Sequence, residues 1–151
     1  MSNNKLNVGD KAPDFKSVNQ NGEKITLSEF KGSKVVLYFY PKDNTPGCTA
    51  EACNLRDNHQ LLINKGSVVL GVSPDSELSH QKFIQKYNLP FDLIADTDKS
   101  IANAYGVWVE KKMFVTKYMG IARTTFLIDE NGIISEIISK VNTKDHTSQI
   151  I

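Results

Sequence analysis

Between Lys34 and Cys53 a strand runs into a helix across one short loop, and this junction limits what the chain can fold into. Lys34 to Tyr40 is a β-branched and aromatic run bounded by Gly32 and Pro41, the pattern of a central strand. Pro46 to about Lys65 reads as helical, with Thr45 as N-cap, Pro46 as first helical residue and Gly66 as stop. Cys48 then lies in the first helical turn, directly after a buried strand. There it meets unpaired backbone N–H groups and the positive end of the helix dipole, which favour thiolate over thiol. The thiolate is the reactive species, so the position argues for chemistry.

Further along, Asp14 to Thr26 alternates around Asn21-Gly22, a hairpin signal near the N-terminus. Ser67 to Ser73 is a second buried strand and Leu93 to Ala95 a short one. Asp75 to Tyr87 and Thr97 to Tyr105 read as helices. Thr124 to Asp129 and Ile133 to Ile138 flank Glu130-Asn131-Gly132 as another hairpin, and a short last helix begins near Asp145. This alternation predicts an α/β chain: a central mixed β-sheet flanked by helices, with an N-terminal β-hairpin.

The chain of 151 residues is the size of one ordinary domain, so residues 1–151 are expected to form a single unit. A net charge of +1 argues against nucleic acid or an anionic membrane as partner. No apolar run approaches transmembrane length, and Met1 to Lys5 lacks the apolar stretch of a secretory signal. The expected location is therefore cytoplasmic, where thiols stay reduced and two cysteines point to catalysis or metal binding rather than a permanent staple.

Cys53 sharpens the reading. On an intact helix, five residues give a rise of ~7.5 Å and a rotation of ~140°, so the two Cα atoms sit ~8.7 Å apart on divergent faces. A disulfide needs Cα atoms within roughly 7 Å. If the pair cycles between thiols and disulfide, the first turns must unwind, and Thr45, Gly47, Thr49 and Asn54 are all weak helix formers. A Cys-x-x-Cys pair at a helix start can close without unwinding and suits exchange with other proteins. The Cys48-x₄-Cys53 spacing lets the first thiol be oxidised alone, which suits attack on an O–O bond to give a sulfenic acid that a second thiol later condenses with.

The bland alternatives are specific. A cysteine is often only a small buried hydrophobe, which the helix-start position of Cys48 disfavours. Spacing alone does not prove pairing, so Cys53 could be structural with an external thiol taking its place. A metal site of Cys48, Cys53 and His59 lacks a common direction and a fourth ligand. Arg123 by itself reads as a surface arginine at a strand start, Thr45 as an N-cap and Pro41 as a strand end. Glu51 suits the first turn as a dipole partner and is a candidate to position Arg123. Trp108 reads as packing, and His80 and His146 have no catalytic context in the sequence.

Pro41-x₃-Thr45-x₂-Cys48 resembles the active-site signature of the peroxiredoxins. The longer run from Phe39 to Cys53, with Arg56-Asp57, resembles the bacterioferritin comigratory protein (Q-type) subfamily. Gly9-Asp10-x-Ala12-Pro13-Asp14-Phe15, Gly71-Val72-Ser73, Tyr105-Gly106-Val107-Trp108 and Arg123-x₂-Phe126-Leu127-Ile128-Asp129 extend the match in order along nearly the whole chain. Leu55 stands where the subfamily usually has an aromatic residue, and Val109 where a glycine is common.

The resemblance implies a thioredoxin-like fold and a thiol peroxidase that reduces hydrogen peroxide or organic hydroperoxides, with a thioredoxin-like protein as reductant. It implies Cys48 as the peroxidatic and Cys53 as the resolving cysteine, an atypical 2-Cys arrangement. Thr45 would offer its hydroxyl to thiolate and peroxide, Pro41 would shield the pocket, and Arg123 would stabilise the developing negative charge. No metal, haem or flavin is implied, and an intramolecular pair makes a monomer the default. A general thiol–disulfide oxidoreductase and a non-enzymatic redox sensor on the same fold are the competing readings.

Overall fold

A computed structural model describes residues 5–151; Met1 to Asn4, and with them most of the segment read for a leader, lie outside the described residues. The central sheet has five strands: β3 (Lys34–Phe39), β4 (Ser67–Ser73), β5 (Asp92–Ala95), β8 (Thr124–Ile128) and β9 (Ile134–Ile138), in the order β5-β4-β3-β8-β9. β3, β4 and β5 are mutually parallel, while β8 is antiparallel to both β3 and β9. This is the mixed sheet expected from the strand–helix alternation.

β3 lies at the centre and feeds two cores, because successive side chains leave a strand on opposite faces. Val35, Leu37 and Phe39 join Ile101, Ala102, Tyr105 and Phe126 on one side. Val36, Tyr38 and Tyr40 join Ala52, Leu55, Leu62 and Phe83 on the other. A strand buried on both faces reads as a continuous apolar run, which is why Lys34 to Tyr40 shows no alternation.

The second face carries α1 (Pro46–Asp57), α2 (His59–Asn64) and α3 (Glu77–Tyr87). The expected single helix from Pro46 to about Lys65 is two. It breaks at Asn58 (φ −111°, ψ 12°), whose side chain donates to the Asn54 carbonyl at 2.8 Å. Asparagine competes for backbone partners in this way and weakens a helix interior. α3 begins two residues later than expected, where Ser76 caps it by accepting from the Ser79 N–H, and Asn88 ends it in the left-handed region. α4 (Ser100–Ala104) is shorter than the expected Thr97 to Tyr105.

The N-terminal hairpin forms as expected from β1 (Lys16–Val18) and β2 (Lys24–Thr26), with Gly22 at φ +73° in the turn. A second hairpin, β6 (Trp108–Met113) with β7 (Thr116–Ile121), was not anticipated. Its turn residues Phe114 and Val115 carry no turn signal, Phe114 takes φ +59°, and Lys112 sits directly across from Lys117. Trp108 packs against the first core with the Lys99 ammonium 5.5 Å from its ring, in keeping with a packing role. A last helix, α5 (His146–Ile150), follows β9. Among the described residues no helix is long and apolar enough to cross a membrane.

Gly71 on β4 is needed for close approach. A Cβ there would lie 2.7 Å from the Leu93 side chain and 2.9 Å from the Tyr38 ring. Gly71→Ala is expected to destabilise the fold by about 1–3 kcal/mol through overpacking, read as a lower urea midpoint at unchanged slope.

Candidate active site

Cys48 is the third residue of α1 and only 1% exposed, at the point where β3 hands the chain to the helix. At the start of α1 the Thr49 N–H donates to the Thr45 carbonyl at 2.8 Å. The N–H groups of Gly47 and Cys48 therefore precede the regular ladder, as the first donors of any helix do. Both cysteines are free, and α1 is unbroken from Pro46 to Asp57, so both ride on intact helix.

The loop from Pro41 to Thr45 is fixed by buried polar contacts. Asp43 accepts from the Tyr40 hydroxyl at 2.5 Å and the Ser79 hydroxyl at 2.8 Å, and lies 2.7 Å from His80 Nδ1. The backbone N–H of Asp43 donates to Asp75 at 2.7 Å. Asn44, at φ +61°, accepts from the Tyr87 hydroxyl at 3.1 Å. His80, which the sequence left without a role, thus anchors the loop to α3. Of the proposed metal ligands, Cys48 and Cys53 lie on α1 and His59 on α2. Among the described residues, the grouping close enough for a cation is Asp43, Asp75 and His80, whose atoms already engage one another and neighbouring donors.

Arg123, just before β8, is brought to the cysteine by the antiparallel β3–β8 pairing, in which Thr124 stands opposite Phe39. Its Nη2 donates to Cys48 Sγ at 3.3 Å and its Nη1 to Glu51 Oε1 at 2.8 Å. Burial works against the guanidinium charge, but Cys48 and Glu51 outweigh it and hold Arg123 above its ordinary range. The surface-arginine reading does not hold, since the side chain is 23% exposed and doubly engaged. Gly47 makes room for it: a Cβ there would lie 3.3 Å from Nη2. By sequence alone Gly47 stands out only as a weak helix former.

Glu51 is fully buried, and burial pushes its carboxyl up to about 7 against the opposing pull of Arg123. Its second oxygen, Oε2, has no hydrogen-bond partner among the described residues and lies 3.5 Å from His146 Nε2. His146, also without context in the sequence, is fully buried and arrives from α5. The same segment grips α1 beside Cys53. Asn54 Oδ1 accepts from both the N–H and hydroxyl of Thr147 at 2.8 Å, and Asn54 Nδ2 donates to the Lys144 carbonyl at 3.3 Å. No local motif announces these contacts, because ninety or more residues separate the partners.

The remaining expected residues lie nearby along the chain. Thr45 is the N-cap with extended backbone, but its hydroxyl donates to the Lys42 carbonyl at 2.9 Å and does not cap the helix. Pro41 is half-buried at the end of β3. Cys53 is part-exposed. A free cysteine sulfur, a fixed cation and a helix start thus meet at one place, a combination suited to displacement at a polarised bond that expels an anion.

Comparison with known proteins gives the family and the fold. Residues 8–137 match the AhpC/TSA family. A peroxiredoxin of the Bcp type from Coxiella burnetii is 52% identical over 146 residues, covering 97% of each chain. The peroxiredoxin Bcp of Bacillus subtilis is 48% identical, covering 97% of this chain and 93% of the relative. Among solved structures, a peroxiredoxin Q of Xylella fastidiosa superposes with a TM-score of 0.90 at 34% identity, over 96% of this chain and 92% of that one. A bacterioferritin comigratory protein of Xanthomonas campestris, described for its alkyl peroxide reduction, gives 0.86 at 34% identity, over 90% and 87%. The fold is therefore thioredoxin-like, as the resemblance implied. The chain belongs to the AhpC/TSA family, as a peroxiredoxin of the bacterioferritin comigratory (Q-type) group.

Proposed function

We propose that this peroxiredoxin reduces hydrogen peroxide and organic hydroperoxides through Cys48, resolves the product with Cys53, and is recycled by a thioredoxin-like protein. The observation that carries this reading is the 3.3 Å contact from Arg123 Nη2 to Cys48 Sγ at the start of α1. The Cys48 thiolate attacks one peroxide oxygen, the O–O bond breaks, and the other oxygen leaves as hydroxide or alkoxide that takes up a proton. Arg123 faces the charge as it moves from sulfur to the leaving oxygen, the kind of preorganised contact that supplies much of an enzyme's rate. Thr45 has its hydroxyl proton on Lys42, so its lone pairs are what it offers to a peroxide O–H. Pro41 narrows the approach and keeps it dry.

Cys53 completes the cycle only after α1 opens. Both cysteines lie on unbroken helix, where Cα atoms five residues apart are ~8.7 Å distant, beyond disulfide reach. Opening as far as Cys53 reaches the neighbouring Asn54, whose contacts to Lys144 and Thr147 tie α1 to the C-terminal segment. Condensation then joins Cys53 sulfur to Cys48 sulfur and releases the sulfenic oxygen as water. Because the pair is intramolecular, a monomer suffices, and no metal or organic cofactor enters the scheme. The location that fits a thioredoxin-like donor is a reducing cytoplasm.

Cys48→Ser should abolish peroxide turnover with thioredoxin and its reductase, while Cys53→Ser should form one sulfenic acid per chain and lose efficient recycling. Full activity in Cys48→Ser would sink the assignment. Insulin reduction without peroxide consumption would favour the general oxidoreductase, and oxidation without turnover the sensor. Amide exchange across residues 46–55 should be much faster in the disulfide form than in the reduced form; equal protection would count against helix opening. Gly47→Ala should push the guanidinium back and slow single-turnover oxidation by about 10-fold or more, as small misplacements of a positioned group do, with little change in melting temperature.

A further inference from the structure

The tautomer of His146 can be read from its neighbours. Gln149 Nε2 donates to the Lys140 carbonyl at 2.8 Å, and Gln149 Oε1 accepts from the Asn142 N–H at 2.8 Å. Oε1 is therefore an acceptor, and His146 Nδ1, 2.8 Å from it, must carry a proton. Burial pushes the imidazole below its ordinary range, favouring the neutral ring, so Nε2 is left with a lone pair. That lone pair accepts from the Thr125 hydroxyl at 2.7 Å and faces Glu51 Oε2 at 3.5 Å.

An ionised Glu51 would set a carboxylate lone pair against an imidazole lone pair, both fully buried. A proton on Oε2 removes that repulsion and gives the orphaned oxygen something to offer. The other groups facing Glu51 do not change this. Tyr38 on β3 is a buried neutral phenol whose hydroxyl also lacks a partner, and Arg123 is the one cation in contact with the carboxyl among the described residues. That cation is already shared with Cys48. Two buried anions on a single guanidinium is a costly state, because like charges at a shared site disfavour ionisation of one of them.

We propose that Glu51, backed by His146, holds a proton while Cys48 is a thiolate and gives it up when Cys48 becomes a sulfenic acid. This rests on the peroxidatic assignment of Cys48 and adds the fate of the proton. Before reaction the site holds thiolate, guanidinium and carboxylic acid. Afterwards it holds neutral sulfenic acid, guanidinium and carboxylate, the guanidinium no longer shared with a second anion and so offsetting the lone pair of His146 Nε2. The S–O bond forms, the O–O bond breaks, sulfur is oxidised and the peroxide reduced to water or alcohol. The leaving oxygen draws one proton from water, and Glu51 returns one to water, so Arg123 keeps one anionic partner throughout. Glu51 acts here through Arg123 and the charge on sulfur, as a positioning and charge-balancing residue.

The test uses the full chain with Cys53→Ser, which stops at the sulfenic acid, treated with one equivalent of hydrogen peroxide at a pH below about 7. Infrared difference spectra should show loss of a protonated-carboxyl stretch, sensitive to deuteration, on oxidation; adding Glu51→Gln should remove that signal. A dye indicator in weak buffer should register no net proton uptake with Glu51 present, and one proton taken up per sulfenic acid in the Glu51→Gln protein. In the reduced state, His146→Leu should make the carboxyl signal disappear at lower pH than in the parent. The infrared signal is read with Glu51 in place, so the result does not depend on the folding of Glu51→Gln. A carboxyl signal unchanged while sulfenic acid forms overturns the proton exchange and leaves Cys48 as peroxidatic. Failure to form sulfenic acid overturns the peroxidatic assignment and the exchange with it. An unchanged midpoint in His146→Leu removes His146 from the proposal.

Discussion

One guanidinium serves two acidic groups on a single helix, and the arrangement of the site depends on it. Arg123 reaches Cys48 in the first turn of α1 and Glu51 in the next, locking the helix to the start of β8 in the middle of the central sheet. Glu51 has no exposure and Arg123 little, so the pair sits where ionic contacts are strong and desolvation is expensive. Removing Arg123 would leave Glu51 and Cys48 buried without the cation they share. The helix start cannot drift from the strand end without losing this contact.

That rigidity stands against a second requirement. In the proposed cycle, chemistry at Cys48 needs the helix folded, since folding sets the donors and the cation against sulfur, whereas pairing with Cys53 needs the same helix opened. The sequence of α1 suits both. Leu55 and Ala52 are fully buried and hold its middle to the sheet, with a side chain like Leu55 worth about 1.5–3 kcal/mol on burial. Gly47, Thr49 and Asn54 keep its intrinsic helix propensity low. The folded form is therefore held by tertiary contacts: Arg123 at one end, the Asn54 grip on Thr147 and Lys144 in the middle, and Arg56 donating to the Tyr87 carbonyl at 2.8 Å. A helix stabilised from outside can be released by changing what surrounds it.

The buried histidines divide the labour. His80 holds Asp43, and through it the loop that carries Pro41 and Thr45, against α3 and β5. His146 stands behind Glu51 and links the C-terminal helix to the charge state of the site. His146 acts on Glu51, the partner of the arginine that meets Cys48, and His80 acts on the loop that frames the approach.

Local patterns determined a large share of this protein. The apolar run Lys34 to Tyr40, the Thr45-Pro46 helix start and the Asn21-Gly22 and Asn131-Gly132 turns were legible because propensity and turn chemistry act over a few residues. So was the separation of Cys48 from Cys53, a property of helix geometry. The Phe114-Val115 turn was missed because no residue there asks for its backbone shape, and the break at Asn58 because one asparagine rarely ends a helix. The meeting of Arg123, Glu51 and His146 was decided only by tertiary structure. Strand pairing brings residue 123 to residue 48, α5 docking brings residue 146 to residue 51, and burial then sets which of them carries charge. Long-range pairing and desolvation depend on the whole fold, and no short stretch of sequence contains them.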